Sequence, residues 1–218
     1  ERGGLTRPTP EGFLPFAGGE PARPDKAYFD KVDAIVAMAE RRGLYVALVP
    51  SWGDKLTAPW GAGPRIFSLD NPGVARRFGR FLADRLKGHR NVIWMLGGDR
   101  PAHLRGLENP YWQKAAIEAG FAPDTDWTPI WSAMADGINV GAGDNPLICY
   151  HPQGGPDSTS VLLRDARWLT INAVQSGHGG GRDVPVWEWI RRDVALQPPR
   201  PTLDLEPNYA AHPHNLWP

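Results

Sequence analysis

The sequence has a single cysteine, no long apolar run and no net charge. One thiol among 218 residues cannot form an intramolecular disulfide, and the apolar run around Cys149 favours a buried, unreactive thiol over a nucleophile. No apolar run approaches the ~20 residues that a membrane-spanning helix needs. The 24 basic and 24 acidic residues cancel, so no net field attracts nucleic acid or an anionic membrane. These absences favour a soluble globular domain of ordinary size.

Tryptophan, by contrast, is abundant, with 10 residues in the chain. Some must lie in the core, and Trp94, in the middle of an apolar run, is expected there. An indole can also stack on the C–H face of a sugar ring while its N–H reaches a hydroxyl. Trp52, which follows an apolar run, could serve either purpose. The tryptophan content therefore suits a carbohydrate-binding cleft.

Apolar runs and helical patterns alternate along the chain. Five short runs read as buried strands, at 44–49, 91–96, 147–150, 169–174 and 202–205. Helices are predicted between them at 26–42, 72–87, 111–119, 128–137, 160–165 and 184–196, with Asp25 and Asn71 capping the first two. This alternation predicts an α/β fold with a parallel sheet and right-handed crossovers. No strand is followed by a glycine-rich phosphate-binding turn, which favours a barrel over an open doubly wound sheet.

Polar side chains follow each predicted strand. In a parallel sheet these ends meet at one rim, where barrel enzymes build their active sites. Asp99 and Glu206 are carboxylates at two of the ends. The other candidates, expected to bind substrate, are Trp52, Asp54, Arg100, His151, Gln153, Gln175, His178 and Tyr209. Two carboxylates from different strands on one rim suggest hydrolysis of a glycosidic bond.

The two carboxylates would have opposite requirements. A general acid must be protonated beside the leaving oxygen, so Asp99 needs burial or a nearby negative charge to raise its pKa, which Arg100 would oppose. Glu206 must stay ionised, and hydrogen bonds from His178, Gln175 or Tyr209 could hold it so. The plainer alternatives are a loop-capping aspartate at position 99 and a strand-end salt bridge at position 206.

A metal site is the rival interpretation of the same rim, with His151, His178, Asp99 and Glu206 as ligands. Neither an HxH nor an HExxH spacing joins these residues, so no metal and no cofactor is expected. His89 lies in a helix-to-strand turn at the opposite rim, where it is expected to be solvated.

Five blocks of the sequence resemble, in order, strands three to seven of apiosidase-like glycoside hydrolases. They are RGLYVALVPSWGDK at 42–55 with the preceding YFDKVD at 28–33, NVIWMLGGDR at 91–100, YHPQGG at 150–155, NAVQSGH at 172–178 and PTLDLEP at 201–207. The resemblance implies a (β/α)8 TIM-type barrel with Asp99 as acid/base and Glu206 as nucleophile. The family's first two strands and its eighth have no counterpart, so an incomplete barrel is predicted over 25–218, after an irregular glycine- and proline-rich segment at 1–24.

The resemblance also implies a substrate class, plant cell-wall pectin side chains that contain apiose. The predicted function is a retaining glycoside hydrolase acting on such an oligosaccharide or polysaccharide, and a carbohydrate-binding or inactive barrel remnant is the alternative. Neither a nucleic acid nor a membrane is expected as a partner, and the oligomeric state is left open. A bacterial periplasmic or secreted enzyme is suggested by the resemblance, although residues 1–24 lack a signal-peptide pattern. Retention predicts carboxyl groups about 5–6 Å apart.

Overall fold

The computed structural model describes residues 5–57, 64–107, 110–155, 158–177, 185–207 and 209, in which five strands and six α-helices alternate. The strands are β1 (Val46–Leu48), β2 (Val92–Gly97), β3 (Leu147–His151), β4 (Asn172–Val174) and β5 (Thr202–Asp204). The helices are α1 (Lys26–Glu40), α2 (Pro72–Leu86), α3 (Pro110–Glu118), α4 (Thr128–Ala142), α5 (Thr159–Leu162) and α6 (Val186–Val194). No helix in this part of the chain is long and apolar enough to cross a membrane.

The strands form two parallel sheets, one of β1, β2 and β3 and one of β4 and β5, each in sequence order. Strand β2 pairs in parallel with β1 and β3, and β4 pairs in parallel with β5. The amides of Thr170 and Ile171 both donate to the Ile148 carbonyl, at 2.9 and 3.2 Å, which places the entry to β4 beside β3. The predicted α/β fold with parallel strands is confirmed.

The two faces of the sheet carry separate apolar clusters. Alternate residues of a strand point to opposite faces. The main core, beneath the helices, includes Trp94 and Leu96 of β2 and Tyr150 of β3. The opposite face carries a smaller cluster, whose members are Met95, Cys149 and Ile171, with Val49, Ile93 and Leu205 packed against them. Residues in or next to all five strands therefore meet on this second face, as they do inside a barrel.

Two expectations about buried residues are confirmed. Trp94 is 3% exposed and belongs to the main core. Cys149 is a fully buried free thiol, and its burial raises the pKa to about 12. A thiol so rarely ionised is a poor nucleophile, because the thiolate is the reactive form.

The two predicted helix caps differ in outcome. The Asp25 carboxylate accepts a hydrogen bond from the Tyr28 amide at 2.8 Å, so the N-cap of α1 is confirmed. Asn71 occupies the predicted N-cap position of α2, but its side chain makes no capping hydrogen bond. Helix α2 begins instead with Pro72, whose missing N–H would have no partner in the first turn.

Helices α2 and α4 approach closely enough that glycine is required between them. A β-carbon at Gly137 would lie 2.0 Å from the Arg76 carbonyl oxygen, and one at Gly141 would lie 2.6 Å from the Arg80 carbonyl oxygen. Glycine costs a helix about 1 kcal/mol relative to alanine, which is why the sequence pattern places the end of α4 near position 137. The helix continues to Ala142 because both glycines pack on the backbone of α2.

The segment 5–24 is largely irregular, and Phe16 anchors it in the main core. Its one regular piece is a short 3-10 turn at Ala17–Gly19. Phe16 is 4% exposed, and its ring centroid lies 5.2 Å from that of Phe78 and 6.2 Å from that of Phe29. Through Phe16 the segment packs on α1 and α2.

A fully buried carboxylate joins β5 to α5 and α6. The oxygens of Asp193 accept hydrogen bonds from the hydroxyls of Ser158 at 2.6 Å, Ser160 at 2.5 Å and Thr202 at 3.0 Å. These hydroxyls replace the water that a carboxylate loses on burial. The network fixes the helix that precedes β5, and with it the strand that ends at the candidate site.

His89 joins α1 to the start of β2, so the expectation that it is solvated is wrong. Its Nδ1 lies 2.8 Å from Glu40 Oε2, and its Nε2 lies 2.8 Å from Asp33 Oδ1. Both ring nitrogens face carboxylate oxygens and can donate together only when the ring is protonated. The contact with Glu40 is the main reason that the pKa of His89 is raised, and Asp33 adds to it.

We expect the stability that His89 contributes to be lost as pH rises. A raised pKa in the folded state means that the contribution is complete below the unfolded value near 6.5 and disappears above the folded value. His89→Gln should therefore lower Tm at pH 6 by roughly 2–4 °C, and by less at pH 9. Thermal unfolding of both proteins at the two pH values checks this. Glu40→Gln should reduce the same pH dependence, and an equal loss in Tm at both pH values would contradict the assignment.

Candidate active site

The ends of β2, β3 and β5 bring three predicted site residues together. The Asp99 amide nitrogen lies 3.2 Å from Nδ1 of His151, to which it donates. The other ring nitrogen of His151, Nε2, lies 3.4 Å from Oε2 of Glu206. Asp99 and Glu206 are also close enough for the charge of Glu206 to raise the pKa of Asp99. The predicted carboxylate pair therefore shares one rim of the sheet.

A tight left-handed turn after β2 presents Asp99. Gly97, Gly98 and Asp99 all have positive φ, at 81°, 110° and 51°. Aspartate tolerates this region better than most residues. A β-carbon at Gly98 would lie 2.7 Å from the indole of Trp52, so the turn also requires glycine for close packing. The indole in turn lies against His151, with ring centroids 5.5 Å apart.

The surroundings of Asp99 favour its protonated form. Burial is the largest cause of its raised pKa, and the charge of Glu206 acts in the same direction. Arg100, a hydrogen bond from the side chain of Gln175, and His151 oppose the rise without reversing it. A raised pKa suits a carboxyl group that donates a proton to a leaving group.

Arg100 is fully buried beneath this turn. Its Nη1 donates to the Asp99 carbonyl at 2.6 Å and lies 3.4 Å from Asp99 Oδ2. The Tyr150 hydroxyl donates to the Arg100 carbonyl at 2.9 Å. Arg100 was predicted to bind substrate, but this placement favours a role in supporting Asp99 from below. Asp54 is also buried, with Oδ2 2.7 Å from Lys55 Nζ.

Two polar side chains, those of Tyr209 and His151, face the carboxylate of Glu206. The Tyr209 hydroxyl donates to Glu206 Oε1, and this contact is the main reason that the pKa of Tyr209 is raised to about 12. Hydrogen bonds to a carboxylate favour its ionised form. The Glu206 carbonyl accepts from the Gly177 amide at 2.7 Å, so the backbone is tied to the end of β4. Of the three donors considered for Glu206, namely His178, Gln175 and Tyr209, the structure places Tyr209 in contact with it.

The two glutamines end β3 and β4 close to one another. Gln153 and Gln175 are 7% and 6% exposed, and a β-carbon at Gly154 would lie 3.6 Å from Gln175 Nε2. Within the described residues, the side-chain oxygen of each glutamine accepts no hydrogen bond. These two oxygens are suited to accept hydrogen bonds from the hydroxyls of a ligand.

One predicted site residue cannot be placed. His178 lies outside the described residues. Across the part of the chain that the structure describes, no group of three or more histidines, cysteines, aspartates and glutamates is placed to hold a metal ion.

Comparison with known proteins places this geometry in a family. The sequence profile of the apiosidase-like catalytic domain matches residues 1–218, the whole chain. The chain belongs to the apiosidase-like family. No curated protein matches it.

Two solved structures share the fold of this apiosidase-like chain. One is described as a glycoside hydrolase family 5 protein from Bacteroides vulgatus ATCC 8482, with 28% identity and a TM-score of 0.63 over 87% of this chain and 36% of that one. The other, described as a glycoside hydrolase, has 29% identity and a TM-score of 0.62 over 87% of this chain and 38% of that one. The apiosidase-like chain thus spans little more than a third of these relatives.

Sequence reasoning missed the residues that join the ends of β4 and β5 in the apiosidase-like chain. The Ser176 hydroxyl donates to Asp204 Oδ2, and the Ser176 amide donates to Oδ1 at 3.3 Å. A β-carbon at Gly177 would lie 2.6 Å from the Pro207 carbonyl oxygen, so the two ends approach closely. Asp204 lies two residues before Glu206, so the two side chains are expected on the same face of the strand. This spacing is the sequence signal that could have identified Asp204.

Proposed function

We propose that the protein is a retaining glycoside hydrolase in which Asp99 is the acid/base and Glu206 the nucleophile. The main support is that one His151 ring contacts the Asp99 backbone amide and the Glu206 carboxylate, so both residues lie around the same side chain. Burial raises the pKa of Asp99, whereas Glu206 accepts a hydrogen bond from Tyr209. Paired carboxylates with separated roles are what glycosidic hydrolysis requires.

The proposed reaction has two steps. Asp99 protonates the glycosidic oxygen while Glu206 attacks the anomeric carbon, so the C–O bond to the leaving group breaks as the bond to Glu206 forms. Asp99, now ionised, then takes a proton from water as the water attacks the glycosyl-enzyme. The bond from the anomeric carbon to Glu206 breaks in this second step, so Glu206 recovers its negative charge and Asp99 its proton.

The proposed substrate is a pectin side chain of the plant cell wall that contains apiose. Family membership supports this class, and the site has the chemistry of a sugar-binding cleft. The half-exposed indole of Trp52 can stack on a sugar ring, and the oxygens of Gln153 and Gln175 can accept hydroxyl donors. Neutral polar groups of this kind suit hydroxyl-rich ligands.

We further propose that the five strands correspond to strands three to seven of a (β/α)8 barrel. Their parallel order, the helices on one face and the apolar cluster on the other support this correspondence. In such a barrel the rim that carries Asp99, His151 and Glu206 is the catalytic face.

An assay of product release tests the proposal. The purified protein is incubated with pectin oligosaccharides with and without apiose, and NMR follows the anomeric proton of the released sugar. We expect release of apiose with the anomeric configuration of the substrate retained. Inversion of the first product would exclude Glu206 as a covalent nucleophile. Binding without release, measured by calorimetry, would favour a carbohydrate-binding protein.

We expect Gln175→Met to move the alkaline limit of kcat/KM to higher pH. The hydrogen bond from Gln175 stabilises ionised Asp99 and so lowers its pKa, which the substitution reverses. The acid is active below its pKa, and the free-enzyme profile of kcat/KM reports that value. Gln153→Met is the matched control, since Gln153 does not contribute to the pKa of Asp99. An unchanged limit in Gln175→Met, or an equal shift in both variants, would contradict the assignment of Asp99 as acid.

A further inference from the structure

His151 contacts the backbone amide of Asp99 and the carboxylate of Glu206, each through a different ring nitrogen. Nδ1 is 3.2 Å from the Asp99 amide nitrogen, and Nε2 is 3.4 Å from Glu206 Oε2. The side chain is only 5% exposed, with the Trp52 ring against it. The ring is therefore held in place and cannot exchange these partners for water.

We propose that His151 is a positioning residue that holds the backbone of Asp99 and the carboxylate of Glu206 through one ring whose hydrogen is on Nε2. The inference rests on the proposed function, because it explains how the acid and the nucleophile are held in fixed positions relative to each other. A nitrogen that accepts from the Asp99 amide carries no hydrogen, so a neutral ring must carry its hydrogen on Nε2. Nε2–H then faces Glu206 as a donor, which favours the ionised carboxylate.

The other neutral tautomer fits the same surroundings poorly. Nδ1 also lies 3.0 Å from the Pro152 carbonyl oxygen, to which an Nδ1–H could donate. In that state the Asp99 amide would lose its acceptor. That hydrogen bond helps to hold Asp99 at a φ of 51°, which non-glycine residues rarely adopt. The lone pair of Nε2 would also face a carboxylate oxygen. Both costs are absent when the hydrogen is on Nε2.

Tyr209 and Arg100 contact the parts of Glu206 and Asp99 that His151 does not. Tyr209 donates to Glu206 Oε1, while His151 faces Oε2, so the nucleophile is held at both oxygens. On the other side, Arg100 contacts the carbonyl and carboxylate of Asp99, while His151 holds its amide. Because His151 contacts both Asp99 and Glu206, its loss should disturb both residues.

The tautomer can be measured without any substrate. The protein is labelled with [15N]histidine, and a long-range 1H–15N correlation spectrum is recorded near pH 7, with His151 assigned from the spectrum of His151→Gln. We expect unprotonated Nδ1 and protonated Nε2. A hydrogen on Nδ1, whether in the other neutral tautomer or in a doubly protonated ring, would overturn the proposal.

Two variants separate the two contacts. The Asn oxygen in His151→Asn can replace Nδ1 as acceptor but cannot reach Glu206, whereas the Gln amide in His151→Gln can reach Glu206 but leaves the Asp99 amide without an acceptor. Amide hydrogen exchange at Asp99 should be faster in His151→Gln than in His151→Asn and wild type. Equal exchange in all three proteins would overturn the contact with Asp99.

Kinetics then test the consequence for the reaction. The probes are the oligosaccharide cleaved by wild type and a 2,4-dinitrophenyl glycoside of the released sugar, whose leaving group needs no proton. Both variants should lose about 10²-fold in kcat on the oligosaccharide. On the dinitrophenyl glycoside, the first-step rate should fall in His151→Asn and stay near wild type in His151→Gln. An equal loss on both substrates in both variants would indicate a merely structural role. If wild type cleaves neither probe, the proposed function fails. The NMR and exchange results still decide whether His151 holds Asp99 and Glu206 as proposed.

Discussion

Glu206→Gln should lower kcat by 10⁴-fold or more while substrate binding is largely retained. The substitution keeps the shape of the side chain and leaves an amide oxygen that can still accept from Tyr209. What it removes is the negative charge that attacks the anomeric carbon, and no step of the proposed reaction can proceed through an amide. Loss of the covalent route costs at least as much as loss of one acid or base, which is typically 10²–10⁴-fold. Initial rates on the cleaved oligosaccharide, with calorimetric binding of the same compound, measure both quantities.

Asp99→Asn should cost 10²–10⁴-fold, and the loss should depend on the substrate. Asparagine tolerates the left-handed conformation of this position, so the turn can be kept, whereas alanine would disturb it. The first step needs the acid only when the leaving group is poor. A dinitrophenyl glycoside should therefore react in this step nearly as fast as with wild type, and the slow second step should produce a burst of dinitrophenol.

Unchanged thermal unfolding is the control for both variants, because neither substitution alters the core. Near wild-type turnover in Glu206→Gln would place the nucleophile on another residue. A loss in Asp99→Asn that is equal for good and poor leaving groups would show that Asp99 supports the site without acting as its acid. A loss of rate on addition of a chelator would favour the alternative, a metal site at the same rim.

The strands and the candidate pair could be predicted because their signals are local. A short apolar run marks a buried parallel strand, and the first polar residue after it must lie at the rim. Asp99, His151 and Glu206 meet for this reason alone. Each of the six predicted helices is found, and all except α5 have an apolar stripe or a proline or glycine near one end.

The contacts that could not be predicted join residues far apart in the sequence. His89 and Glu40 are separated by 49 positions, and nothing near His89 indicates that two carboxylates of α1 will face it. Arg100 follows Asp99 directly, but only the packing under the turn shows that its side chain points inward. The net direction of the Asp99 pKa likewise depends on burial exceeding the effect of Arg100, which is a property of the folded chain.

Gly137→Ala should destabilise the protein by roughly 2–4 kcal/mol, although alanine is the better helix former. The propensity gain is about 1 kcal/mol in favour of alanine. Against it, the new β-carbon would lie 2.0 Å from the Arg76 carbonyl oxygen and 2.8 Å from the Arg80 amide nitrogen. Backbone atoms cannot move aside as a flexible side chain can, so α2 and α4 must separate and lose contact along their length. Overpacking of a tight core costs typically 1–3 kcal/mol, and backbone overlap lies at the upper end or beyond. Urea unfolding of wild type and variant measures the difference.

The other glycines of the same two helices supply a graded series. A β-carbon at Gly79 would lie 2.3 Å from the Met134 carbonyl oxygen, and one at Gly141 would lie 2.6 Å from the Arg80 carbonyl oxygen. The loss of unfolding free energy should therefore decrease from Gly137→Ala through Gly79→Ala to Gly141→Ala. Gly73 is the matched control, because its β-carbon would meet nothing closer than 3.4 Å, so Gly73→Ala should be neutral or slightly stabilising. If Gly137→Ala stabilised the protein as Gly73→Ala does, helix propensity would outweigh packing. The close approach of α2 and α4 would then not be what extends α4 beyond position 137.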